Sequence, residues 1–157
     1  MRNFSTTLVE GQSNEEIIRN FWVENGFKVI DVSDNPEYQK KDIDFLLSNG
    51  YSNISVEVKS DTRLFETGNI AIELAMYRKT GYYPGWYHYC DADIICYCDL
   101  IDSVAYYIDW RYLKQFALEI GRKAQFYNEI DDCKGELCLV KLMELYDRGF
   151  IKYVHTY

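Results

Sequence analysis

The stretch "DIDFLLSNGYSNISVEVK", residues 42–59, leaves little freedom of fold. Two runs of strand-forming residues flank Asn49-Gly50, a pair that tolerates the positive φ angles a tight antiparallel turn demands. In the second run Ile54, Val56 and Val58 fall on one side of a strand, and Ser55, Glu57 and Lys59 on the other. A turn centred between Gly50 and Tyr51 sets Asp44 opposite Glu57, with Cβ atoms about 5 Å apart. Asp42 shares the parity of Asp44. One sheet face thus gathers carboxyl groups and an ammonium.

The surrounding pattern predicts the rest of the layout. "SNEEIIRNFWVENGF" reads as a first helix with Ser13 or Asn14 as its cap; Ile17, Ile18, Phe21 and Trp22 form its apolar stripe, and Gly26 closes it. Glu15 and Glu16 then sit in the first turn, where they favour the positive helix terminus or reach toward a site at the sheet edge. "FKVIDV" is a short strand followed by a connection through Pro36. "GNIAIELAM" alternates as a strand, with a helix from Asn69 as its competitor. "TGYYPGW" is a loop broken by its glycines and proline, and "DADIICYCDL" and "SVAYYIDW" are later strands. "RYLKQFALEIG" is a helix ending at Gly121, "VKLMELYDRG" a short helix, and "FIKYVHTY" a closing strand or ordered tail. No repeat or low-complexity linker divides residues 1–157, so a single α/β domain with a central mixed sheet flanked by helices is expected.

Composition limits the function classes. With 17 Lys and Arg against 25 Asp and Glu, the net charge of -8 repels a polyanion at long range, so nucleic-acid binding needs local basic groups, a divalent ion or a partner. The first twenty residues hold no apolar core of secretory length and no segment approaches a membrane span, which makes a cytoplasmic or otherwise intracellular protein, without membrane association, the expectation. The five cysteines lack regular paired spacing, so ordinary buried thiols are expected and a thiolate zinc site at "CYC" is the lesser alternative.

Asp44, Glu57 and Lys59 say more together than separately. Each alone reads as ordinary sheet-surface charge, with any ion pair worth less than about 1 kcal/mol. As a set, two carboxylates from neighbouring strands suit a hard Mg²⁺ or Mn²⁺ ion, and an adjacent ammonium can stabilise charge developing on a phosphate. A lysine beside anions tends to stay protonated, so electrostatic stabilisation is its safer role.

"VEVKSD" preceded by "DIDF" resembles the PD-(D/E)xK nuclease superfamily, the restriction-endonuclease-like fold that includes resolvase-like and phage-associated members. The resemblance covers roughly residues 13–110; no proline precedes Asp44. It implies a metal-dependent deoxyribonuclease in which Asp44 and Glu57 bind Mg²⁺ (or Mn²⁺) and Lys59 assists attack. It further implies Glu15 as the first-helix glutamate of resolvase-like members. "FETGNIAIE" looks like the third strand of phage-associated nuclease domains, with Glu73 an auxiliary metal ligand or substrate contact. The implied substrate is DNA, including branched or recombination DNA, and a homodimer would set two centres on opposite strands.

The runner-up is a noncatalytic nucleic-acid-binding or protein-interaction module of the same fold, and a third reading is a phosphoesterase for small substrates. His88 and His155 read as structural or solvent-facing. Arg63, Arg78, Lys79, Arg111, Lys114, Arg122 and Lys123 are phosphate contacts only if folding gathers them at the centre. Trp86 and neighbouring tyrosines are candidate base-stacking groups, although core packing is the commoner use of such rings.

Overall fold

The computed structural model describes residues 4–157, with side chains from Asn14 onward. Two sheets organise it. The first has six strands in the order β1 (Lys28–Asp31), β2 (Phe45–Ser48), β3 (Asn53–Asp61), β6 (Ile94–Asp99), β7 (Val104–Asp109) and β10 (Ile151–Thr156). The β3/β6 pair is parallel and the other neighbours are antiparallel, which makes the sheet mixed. The second sheet is antiparallel, in the order β5 (Gly81–Pro84), β4 (Asn69–Arg78), β9 (Cys133–Lys141) and β8 (Arg122–Asn128).

The six-stranded sheet is covered on both faces. On one side lies α1 (Phe4–Glu24), whose Ile18 packs with Phe45, Leu47, Val56, Cys96, Cys98, Ala105 and Tyr107. On the other, Ile95, Tyr97 and Ile108 meet Ile70, Ile72 and Val140 of the second sheet, together with Leu113 and Ala117 of α5 (Trp110–Ile120). Burial on both faces explains why "IICYCD" is almost continuously apolar instead of alternating. Short helices α2 (Pro36–Gln39), α3 (Leu64–Thr67), α4 (Trp86–Tyr89) and α6 (Leu142–Asp147) fill the connections.

The β2/β3 turn follows its sequence. Gly50 takes φ 87°, and the Asn49 Oδ1 accepts from the N–H groups of Tyr51 and Ser52 at 2.9 Å each. Phe45 pairs with Val56, Leu46 with Ser55 and Leu47 with Ile54, a register whose next step sets Asp44 against Glu57. The Asp44 N–H donates to the Val56 carbonyl at 3.0 Å, so the ladder continues past the formal strand end.

Three expectations are corrected. The first helix begins nine residues before Ser13, so Asn14 lies in its interior, and the Ser13 side chain lies outside the described part. Asn14 is buried instead of capping: its Nδ2 donates to Ser60 Oγ at 3.3 Å, and it accepts from the Tyr157 hydroxyl at 3.2 Å. Glu15 and Glu16 are consequently not first-turn residues. "TGYYPGW" is no plain loop either, because Gly81–Pro84 pairs with β4 as an edge strand, where a proline needs no ladder partner on its open side. The β8/β9 hairpin was not anticipated, and it makes β4 part of a second sheet instead of an extension of the first.

Ile18 is fully buried between helix and sheet. Replacing Ile18 by Ala should lower unfolding free energy by about 3 kcal/mol, the middle of the range for such truncations. Urea unfolding followed by circular dichroism checks this; a loss under about 1 kcal/mol would show that α1 does not pack as described.

Candidate active site

β3 projects Glu57 and Lys59 toward the second sheet, and the paired β2 lead-in brings Asp44 beside them. Lys59 is the hub. Its Nζ lies 2.6 Å from Asp42 Oδ2 and 2.7 Å from Glu57 Oε1, and 5.3 Å from the centre of the Trp86 ring. Asp44 Oδ2 accepts from the Val58 N–H at 2.8 Å, which fixes its carboxyl group against the β3 backbone. Asp42 reaches Lys59 from a residue with φ 53°, a left-handed conformation that aspartate tolerates better than most side chains.

Burial governs the electrostatics. Glu57 is 5% exposed. Its desolvation raises the carboxyl pKa, the Lys59 ammonium pulls it back, and Asp44 and Asp42 push it up again, leaving it at about 9. Asp44 is raised as well, chiefly by burial, against the opposing pull of the Val58 N–H, Glu57 and Lys59. Desolvation alone would lower Lys59, but Glu57 and Asp42 outweigh it and hold the ammonium charged. One ammonium cannot neutralise three neighbouring carboxyl groups, so burial and mutual repulsion raise the set's affinity for a proton, that of Glu57 above all.

Two further acids flank this centre from opposite sides. Glu15 of α1 is raised to about 7 by partial burial and by Asp44, Asp31 and Asp34. Glu73 of β4 is raised by burial, opposed by Lys59 and reinforced by Asp42. The structure therefore brings Asp44, Glu57, Lys59 and Asp42 together, with Glu15 and Glu73 in electrostatic reach. Among the described residues no three His, Cys, Asp or Glu side chains converge in a ready-made metal cage. The donor chemistry nevertheless fits a hard divalent ion: Asp44 and Glu57 are adjacent oxygen donors whose mutual repulsion and burial a cation would relieve.

Other candidates resolve differently. Trp86 is buried beneath Lys59, not offered to a ligand. His88 packs edge-on against Tyr87, and His155 stacks on Phe21 with centroids 4.0 Å apart. The cysteines are free and buried; Cys96 and Cys98 have Sγ atoms 3.9 Å apart, and burial pushes the Cys96 thiol well up. Arg111 pairs with Asp93 at 2.6 Å, Lys114 donates to the Cys90 carbonyl, and Lys79 pairs with Asp132. Arg78 borders the cleft next to Glu73.

Sequence reasoning missed two supports. The Tyr97 hydroxyl donates to Asp61 Oδ2 at 2.6 Å and accepts from the Ala71 N–H at 3.0 Å, tying β4, and with it Glu73, to β3. At the other end of β3, Asp93 accepts from both the N–H and hydroxyl of Ser55, at 2.8 and 3.0 Å. Both contacts span distant sequence, so no local pattern announces them.

No protein-family model matches the chain, and neither does any curated protein. Among solved structures, the bacterial homing endonuclease I-Ssp6803I is similar, with a TM-score of 0.53 and 15% sequence identity over 87% of this chain and 79% of that one. At that identity the likeness is one of fold: this chain has a nuclease-like α/β architecture with a central mixed sheet flanked by helices. Among the described residues no helix is long and apolar enough to cross a membrane.

The Glu57 shift has a signed consequence. Between its ordinary value of 4.5 and its folded value of about 9, the native state keeps a proton that the unfolded chain has lost, so stability falls as pH rises through that window. Without divalent metal, the melting temperature should decline from pH 5 to pH 9, and Glu57→Gln should flatten that decline and melt higher than wild type at pH 8. Parallel wild-type and variant profiles in calorimetry would contradict the protonation described.

Proposed function

We propose that this protein is a divalent-metal-dependent endonuclease that hydrolyses phosphodiester bonds in DNA, as a resolvase-like or phage-associated member of the PD-(D/E)xK superfamily. The observation that carries the reading is the convergence of Asp44, Glu57 and Lys59 on one partly buried point of a nuclease-like sheet. In this reading Asp44 and Glu57 hold Mg²⁺ or Mn²⁺, and Glu73 and Glu15 are auxiliary acids at its two sides. The ion when bound supplies Lewis-acid chemistry, polarising the phosphate and activating water.

The chain's own groups do the rest. Glu57 would hold the ion as a carboxylate, so loading would be favoured by higher pH. Lys59 keeps its ammonium through the contact with Asp42 and would donate toward charge building on the scissile phosphate. Asp44 stays oriented by the Val58 N–H. Trp86 excludes water beneath the ammonium and strengthens its field.

Purified protein with Mg²⁺ or Mn²⁺ should cut DNA, tested on plasmid, linear duplex, single-stranded and branched substrates. Asp44→Asn and Lys59→Ala, folded by circular dichroism, should each lower the rate by about 10²–10⁴-fold. Wild-type protein that binds nucleic acid without turnover on any of these substrates would replace the enzyme with a binding module. Hydrolysis confined to mononucleotide esters would replace DNA with a small substrate.

A further inference from the structure

Next to the Lys59 centre, the β4/β5 hairpin and α4 enclose an open cleft of about 540 Å³, lined by Glu73, Met76, Arg78, Tyr83 and Tyr89 among others. Its geometry follows from elements already fixed. Tyr83 stands opposite Met76 in the β4/β5 ladder, so the two side chains share a face. Tyr89 follows Trp86 by three residues on α4, so the turn that lays Trp86 beneath Lys59 also aims Tyr89 at the site's mouth. The acids around Lys59 reach Tyr89 electrostatically: its hydroxyl pKa is raised by burial first and then by Asp42, with Lys59 opposing and Glu73 and Glu57 adding.

Neither ring is used by the core. Tyr83 is 45% exposed and Tyr89 41%, whereas Trp86 between them in sequence is buried. The Tyr83 hydroxyl is held 2.8 Å from Thr80 Oγ1, which fixes the ring's orientation on the edge strand. Two half-exposed aromatic rings and one guanidinium, placed beside the proposed phosphodiester centre, line a nucleotide-sized recess.

We infer that this cleft binds an unpaired nucleobase of the DNA strand, stacked on Tyr83 and Tyr89, with Arg78 on a neighbouring phosphate. The inference rests on the proposed function and specifies the form of its substrate. Charge supports stacking over a backbone grip. A net charge of -8, with Lys79, Arg111 and Lys114 engaged by internal partners, disfavours holding a duplex chiefly by releasing counterions. Base stacking is short-ranged, indifferent to net charge and tolerant of sequence. A paired base keeps its faces against its neighbours, so the recess discriminates for single-stranded, bulged or branched segments over perfect duplex.

Fluorescence anisotropy in Ca²⁺ buffer, with a labelled single strand, a blunt duplex and the same duplex carrying a central bulge, tests this. The single strand and bulge should bind at least about 10-fold tighter than the duplex, and Tyr83→Ala and Tyr89→Ala should each erase about 10-fold of that affinity. Tyr83→Phe and Tyr89→Phe should retain it, since the ring and not the hydroxyl stacks. The salt slope should be shallow, and Arg78→Ala should reduce it by about one charge. Alanine variants that bind like wild type while melting normally, or a duplex bound as tightly as the single strand, would overturn the inference. Cleavage indifferent to both tyrosines sinks this inference and spares the endonuclease; tyrosine-dependent binding without cleavage does the reverse.

Discussion

Everything at the site depends on one partly buried ammonium surrounded by more carboxyl groups than it can neutralise. Lys59 is held at 2.6 Å by Asp42 and 2.7 Å by Glu57, while Asp44 stands beside Glu57 across the strand pair. Removing such groups from water is costly unless charge and hydrogen bonding are balanced. Here the balance is incomplete, and the shortfall appears as the raised pKa of the Glu57 carboxyl group. A cluster arranged in this way has chemical room for one more cation. That makes it more than a surface ion pair, and it gives the nuclease reading its physical content.

The fold exists to sustain that imbalance. The six-stranded sheet is sealed by α1 on one face and by the second sheet on the other, so β3 runs through the middle of the sheet with Val56 and Glu57 buried on its two faces. Tyr97 and Asp61 lock β4 against β3, and Asp93 locks the start of β3 through Ser55. Asp42 and Trp86 then grip Lys59 from two directions. The same construction leaves Tyr83 and Tyr89 half exposed at the opening, so the closed side and the open side of the centre are built by one connection, from β4 through α4.

Local physics made part of this readable in advance. Asn49-Gly50 and the alternation of residues 54–59 determine the hairpin register, and through it the Asp44/Glu57 pairing, because a one-residue slip would turn Glu57 into the apolar layer under α1. Gly26 ends the first helix at φ 85° as a glycine can. What stayed hidden required partners distant in sequence. Asn14 looks like a helix cap until Ser60 and Tyr157 are seen to satisfy it inside the helix. β5 looks like a loop because glycine and proline are tolerated on an edge, and the β8/β9 hairpin presents a largely polar, half-exposed strand without strict alternation. Parity alone sets Asp42 on the face of Asp44; its direct grip on Lys59 depends on a left-handed backbone turn that parity counting cannot represent.

The proposed cation site lies between the carboxyl groups of Asp44 and Glu57, which Lys59 only partly satisfies. Crystals grown with Mn²⁺, measured at an energy where manganese scatters anomalously, test it directly. An anomalous peak within coordination distance of oxygens of both carboxylates is expected, with Glu57 drawn off Lys59 and Lys59 still on Asp42. No peak at saturating Mn²⁺, with the Lys59 contact to Glu57 intact, would contradict it.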